Sequence, residues 1–162
     1  MYAIREAAIQ NLKKLIDVFG IEWANQAVIP QVLENAKHTN YLYRMTVLYS
    51  IVAMAPVVRD RAATTAEACK RLLCSCTHRP FSPLLSQVGP ELLTGTLLPM
   101  VIQMSADPVP NVRFNAAKTL RQLAPMLDAA TVVERVRPCL TTLVDDQDHD
   151  VSYFATQGLQ GI

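Results

Sequence analysis

Three of the chain's four cysteines, Cys69, Cys74 and Cys76, crowd into one stretch, with His78 two places on. Thiolate and imidazole are soft ligands, so zinc is the first chemistry to weigh. A C-x-C-x-H cluster is not a spacing that structural zinc sites use, and one short segment would have to fold around the ion alone. A second reading is a basic docking loop. Val58–Val88 carries five Lys/Arg against two acids, whereas the rest of the chain holds ten against twelve. A third reading is that the stretch is foreign to the fold around it.

The other polar constellations are weaker. Asp145, Asp146, Asp148 and Asp150 surround His149 near the C-terminal end. Calcium loops of the EF-hand kind need a central glycine and a closing glutamate, and both are missing. A solvated turn with helix N-caps is the better reading. His38, His78 and His149 are scattered, and no nucleophile–base pair, Gly-rich phosphate loop or H-E-x-x-H is present. The chain reads as not an enzyme, with no metal site and no cofactor.

The elements that would position such residues are helices. The chain has 162 residues, 51% hydrophobic and 18% charged, with only five glycines. Those numbers exclude disorder and allow one domain with a real core. The β-branched residues never alternate over a strand's length, which predicts an all-α protein. A net charge of +1 supplies no field for nucleic acid or a membrane surface. No apolar run reaches a membrane span, and no secretory leader is visible. One crowded cysteine group plus a distant Cys139 is no disulfide framework, so a reducing compartment is expected, cytoplasmic with the nucleus as a second location.

Ile4, Ala8, Leu12, Leu15, Ile16 and Phe19 form one helical stripe, which Gly20 ends. Further helical segments are expected near 22–36, with a kink at Pro30, and near 41–55, 92–104, 111–123, 131–144 and 150 onward. These segments repeat. Arg5 to Arg44, Pro99 to Pro138, Val112 to Val151, Ala116 to Ala155 and Leu120 to Leu159 are each 39 residues apart. That is the helix-pair period of an α-solenoid of HEAT type. One interval breaks it: Pro30 to Pro99 and Arg44 to Arg113 are both 69, an excess of 30 in each case. Removing Val58–Gln87 restores the period.

The expected organisation is a single array. Residues 1–19 are the second helix of a partial repeat, 20–57 a repeat, 58–87 an inserted loop, 88–128 a repeat and 129–162 a terminal capping repeat. A helix pair cannot cover both its faces, so the helix over Tyr2–Phe19 should expose an apolar side. The chain therefore reads as a fragment of a longer array. The insert can be back-translated to open with the GT of a 5′ splice site at Val58. It closes on a pyrimidine tract and CAG over Pro80–Gln87, which makes a retained intron the favoured origin.

"YAIREAAIQNLKKLIDVFGIEWA", "NYLYRMTVLYSI", "DPVPNVRFNAAKTLRQLAPMLD" and "DQDHDVSYFATQGL" closely resemble the C-terminal HEAT repeats of protein phosphatase 2A scaffold (A, structural, 65 kDa regulatory) subunits. The resemblance covers nearly everything outside Val58–Gln87, which that family lacks, and the chain stops a few apolar residues short of the family's usual end. It implies a non-catalytic scaffold. Its C-terminal repeats would hold the phosphatase catalytic subunit on the turn inside each repeat, and repeats absent from this chain would hold regulatory B-type subunits. Other adaptors, such as a HEAT or armadillo transport receptor, and a metal- or nucleic-acid-binding module built on the insert are the alternatives.

The period sets Tyr2, Tyr41 and Pro110 at one point of the repeat, Arg5, Arg44 and Arg113 three residues later, and Asn40 and Val109 just before, with Asn111 just after Pro110. These nine positions are the candidate partner-binding residues. For the arginines a second reading competes: Asp107 and Asp146, also 39 apart, could pair with arginines of neighbouring repeats. Trp23 reads as packing.

Overall fold

A computed structural model describes residues 2–56 and 91–162, and for Tyr2, Ala3, Arg5 and Ile21 the backbone alone. The segment 58–87, with its cysteines and the readings attached to them, lies outside the described residues. Among the described residues all regular structure is helical. Helix α1 is Tyr2–Phe19. Helix α2 runs through Ile21–Trp23, Ala24–Val28 and Ile29–Asn35, and α3 covers 41–56. Helix α4 takes in 91–92, Leu93–Leu97 and Leu98–Met104. Helix α5 is Pro110–Leu123, with a tight 3₁₀ turn at Ala124–Met126. Helix α6 runs through Ala129–Thr131, Val132–Val136 and Arg137–Val144, and α7 is His149–Gln160. The pairs α2/α3, α4/α5 and α6/α7 are the repeats of an all-α solenoid, and α1 precedes them in the chain.

The break after α1 falls at Gly20, whose φ of 90° suits a residue without a Cβ. Its N–H donates to the Ile16 carbonyl at 2.9 Å, closing the last turn. The first helix of every repeat carries a proline two residues past a wide, π-helical turn: Pro30 after Ala24–Val28, Pro99 after Leu93–Leu97, Pro138 after Val132–Val136. Proline has no N–H to donate, and its ring presses on the carbonyl four residues back. The helix answers by widening. The N–H of the residue before each proline, Ile29, Leu98 or Arg137, bonds the carbonyl five back, on Ala24, Leu93 or Val132. The kink expected at Pro30 is thus one case of a device present in all three repeats.

The core is one continuous cluster along the array. Val28, Ile29 and Val32 of α2 meet Val47, Leu48, Ile51 and Met54 of α3. The run continues through Leu97, Leu98 and Val101 of α4, then Val112, Ala116 and Leu120 of α5, to Leu140 of α6 and Val151 and Ala155 of α7. Each large aliphatic side chain so covered contributes about 1.5–3 kcal/mol of transfer free energy. Helix α7 packs on both α6 and α5, and α5 on α4, as neighbouring helices of a solenoid do. At Gly158 α7 comes so near α6 that a Cβ would sit 3.1 Å from Leu140 Cδ1. The α1 stripe divides: Ile16 is fully buried, whereas Ile4, Leu15 and Phe19 are exposed, as is Val18 beside them. Trp23 is half-buried, its ring 5.2 Å from that of Phe19.

Candidate interaction ridge

Three turns, 38–41, 107–110 and 146–149, each join the two helices of a repeat; the last two lie 39 residues apart, and the first two 69, one period plus the 30 extra residues. In each, a side chain accepts the backbone N–H two residues on. Asp107 Oδ1 takes Val109 N–H at 2.9 Å, Asp146 Oδ1 takes Asp148 N–H at 2.9 Å, and His38 Nδ1 takes Asn40 N–H at 3.0 Å. The residue before the second helix is extended, with φ −91° and ψ 117° at Val109, as a residue preceding proline prefers. Pro110 then occupies the first turn of α5, where its missing N–H costs nothing. Asp148 caps α7, accepting from the N–H groups of Asp150 and Val151. Asn40 Oδ1 does the same for Leu42 N–H at 3.0 Å. The acidic turn is therefore one of caps and ion pairing.

The turns are locked to one another by arginine. Arg44 donates Nε to Asp107 Oδ2 at 2.6 Å and Nη2 to Oδ1 at 2.9 Å, while its Nη1 reaches the carbonyls of His38 and Thr39. Arg113 repeats the pattern: Nε to Asp146 Oδ2 at 2.7 Å, Nη2 to Oδ1 at 2.8 Å, and Nη1 to the carbonyls of Asp107 and Pro108. Each fork thus ties its own turn to the carboxylate of the next repeat. The hydrogen bonds to Asp107 and Asp146 raise the pKa of Arg44 and Arg113 against the opposing effect of burial. The bond from Arg113 likewise holds the Asp146 carboxyl below its ordinary value. The ladder expected from the aspartate spacing is present, and it uses most of both guanidiniums' donors.

The ladder also reports on continuity. Arg44 and Asp107 are 63 positions apart, Arg113 and Asp146 only 33, a difference of 30. Tyr49 Oη bonds Asn115 Oδ1 at 3.3 Å across 66 positions. The period counterparts, Lys118 and Phe154, meet as a cation over a ring at 3.9 Å, across 36 positions. Both excesses equal the length of 58–87, so the repeats on either side stack in the same register as a repeat pair with no extra residues.

Tyr41, Val109, Pro110 and Asn111 are brought together. With Phe114, Asp148 and Asp150 they line a cleft of about 460 Å³ that spans all three turns. Tyr41 is 37% exposed and Asn40 is exposed beside it. Asn111 accepts Asn115 Nδ2–H at its carbonyl (2.7 Å) and its Oδ1 (3.2 Å). Tyr2 and Arg5 lie in α1, and their side chains fall outside the described residues. Sequence reasoning passed over Asp148, the period counterpart of Asn40 and Val109, which the 39-residue spacing alone could have added to the ridge. It also missed the polar seam formed by Tyr49–Asn115 and by Lys118 between the rings of Phe114 and Phe154. Among the described residues no helix is long and apolar enough to cross a membrane.

Comparison with known proteins agrees with this architecture. The HEAT repeat family matches residues 97–127. The chain is 49% identical over 59 residues to the serine/threonine-protein phosphatase PP2A 65 kDa regulatory subunit of Drosophila melanogaster, covering 36% of this chain and 10% of the fly protein. It is 29% identical over 155 residues to the PP2A regulatory protein of the A class in Saccharomyces cerevisiae, covering 91% of the chain and 20% of the yeast protein. The Schizosaccharomyces pombe counterpart is 37% identical over 106 residues, 65% of the chain and 13% of that protein. The chain thus spans a tenth to a fifth of the length of these relatives. By its repeats and these matches, the chain is similar to the regulatory A subunits of protein phosphatase 2A over nearly all of its length, with a HEAT repeat at residues 97–127.

Proposed function

We propose that the chain is a non-catalytic scaffold segment that holds the catalytic subunit of protein phosphatase 2A on its intra-repeat turns and so supports assembly of the holoenzyme. The observation that carries this reading is the cleft shared by Tyr41, Val109, Pro110 and Asn111, on turns that the ladder holds in fixed register. Tyrosine presents broad contact area at low entropic cost, which makes Tyr41 the central anchor, with Asn40 beside it. Arg44 and Arg113 serve the partner by fixing the turns. Tyr2 and Arg5 extend the ridge by one step. Regulatory B-type subunits bind repeats of the longer protein outside this chain, which works in the cytoplasm and nucleus without a cofactor.

The array is organised as a partial repeat (1–19), repeats at 20–57 and 88–128, a capping repeat (129–162) and an insertion at 58–87. The register across that interval supports this division. Titrating the purified chain with purified phosphatase catalytic subunit tests the reading. Saturable one-to-one binding is expected, and no binding at micromolar concentration contradicts it.

A further inference from the structure

The ladder has an odd member. Positions 38, 107 and 146 are equivalent by period and by geometry, since each side chain accepts the backbone N–H two residues ahead. At 107 and 146 the side chain is a carboxylate, whose second oxygen receives the Nε–H of the arginine of the preceding repeat. At 38 it is an imidazole. With Nδ1 accepting from Asn40, its other nitrogen, Nε2, carries the hydrogen and is a donor. The ring also lies 4.2 Å from that of Tyr43. His38 therefore offers an arginine no acceptor. The arginine that the period assigns to it is Arg5, standing 39 residues before Arg44 as Arg44 stands 69 before Arg113.

We propose that His38 interrupts the inter-repeat ladder and makes the junction between α1 and the α2/α3 repeat more compliant than the two junctions that carry the arginine–aspartate fork. The 38–41 turn is tied on its downstream side, where Arg44 Nη1 holds the carbonyls of His38 and Thr39 at 2.8 and 2.9 Å. On its upstream side it lacks the carboxylate that each later turn presents. A junction without that two-bond fork slides and rotates more easily than one with it, because apolar contacts tolerate small displacements that the fork does not. Flexing here changes the angle between the start of α1 and the Tyr41 turn, and so the curvature of the ridge. The joint belongs to the array itself, whether or not its partner is a phosphatase.

Restoring the acid tests it. Aspartate at 38 keeps the acceptor for Asn40 N–H, as at 107 and 146, and supplies the missing oxygen. In amide hydrogen exchange on the full chain, His38→Asp should slow exchange across α1 at least fivefold and leave α7 unchanged. His38→Asn, which keeps the turn acceptor without the charge, should leave α1 as in the parent. Adding Arg5→Ala to His38→Asp should erase the gain. The proposal is overturned if His38→Asp does not protect α1, if His38→Asn protects it equally, or if the gain survives loss of Arg5.

Discussion

Arg113→Ala should cost the array about 2–3 kcal/mol. The side chain makes two charge-assisted bonds to Asp146, at 2.7 and 2.8 Å, and two to carbonyls, at 2.9 and 3.2 Å. Arg113 and Asp146 side chains are 17% and 12% exposed, which places the pair between two regimes. Exposed pairs contribute about 0–1 kcal/mol, and removing one partner of a buried pair costs about 3–5 kcal/mol. The edge of a solenoid is thin and close to water, so the lower half of that span applies to the ion pair, and the carbonyl bonds add about 1 kcal/mol. Urea unfolding followed by circular dichroism, with Asp146→Ala and the double variant, isolates the pair, whose coupling should be about 1–2 kcal/mol. The pH dependence has a definite sign. Asp146 has a depressed folded pKa, so its contribution is complete above the unfolded carboxyl value of about 3.9 and is lost as pH falls through the lower folded value. Asp146→Asn should remove that acid-side loss and leave the slope between pH 5 and 7 unchanged. A cost below about 0.5 kcal/mol for Arg113→Ala, or a coupling of zero, would refute the reasoning that the forks hold the turns.

Deleting Val58–Gln87 should leave the urea midpoint unchanged or raise it, since the flanking repeats already stack in register and residues inserted between stacked repeats cost mainly closure entropy. Unfolding of the deletion variant would sink that account, and sequencing of transcripts should find the corresponding stretch of about 90 nucleotides, three per residue, removed from most messages. The exposed Ile4 and Val18 of α1 should drive self-association of the isolated chain, so Ile4→Asp with Val18→Asp should shift sedimentation toward monomer. An unchanged sedimentation profile counts against it. Leu120→Ala, at a fully buried position between repeats, should cost about 2–5 kcal/mol in the same urea assay, and a cost under 1 would place that side chain outside the core.

Much of this fold was legible because a solenoid writes its contacts at short, repeated intervals. The stripe of α1, the stop at Gly20 and the second helices follow from spacing alone, and two equal excesses over 39 locate the extra residues. The prolines were less legible. A proline inside an apolar stripe reads as a kink, and only the backbone shows the N–H before it moving to the carbonyl five back. Arg44 and Arg113 carried two readings because an arginine at a turn looks the same whether its fork faces a partner or the next repeat. Geometry shows the second use, with four hydrogen bonds each. The seam of Tyr49, Asn115, Lys118 and Phe154 stayed hidden for another reason. It pairs chemically unlike residues at equivalent positions, so no residue type recurs at the period.

Binding of the phosphatase catalytic subunit to ridge variants tests the central claim most directly. The measurement compares the parent chain, Tyr41→Ala on the ridge and Val133→Ser on α6, an exposed side chain away from the three turns. An interface anchor such as Tyr41 should cost about 1–3 kcal/mol, or about 5- to 150-fold in Kd, with the melting temperature unchanged because its side chain sits on a turn. Val133→Ser should bind as the parent does. Equal affinity for all three chains, or a Tyr41→Ala chain that binds normally but melts sharply lower, would contradict the account and place Tyr41 in the core rather than on the docking ridge.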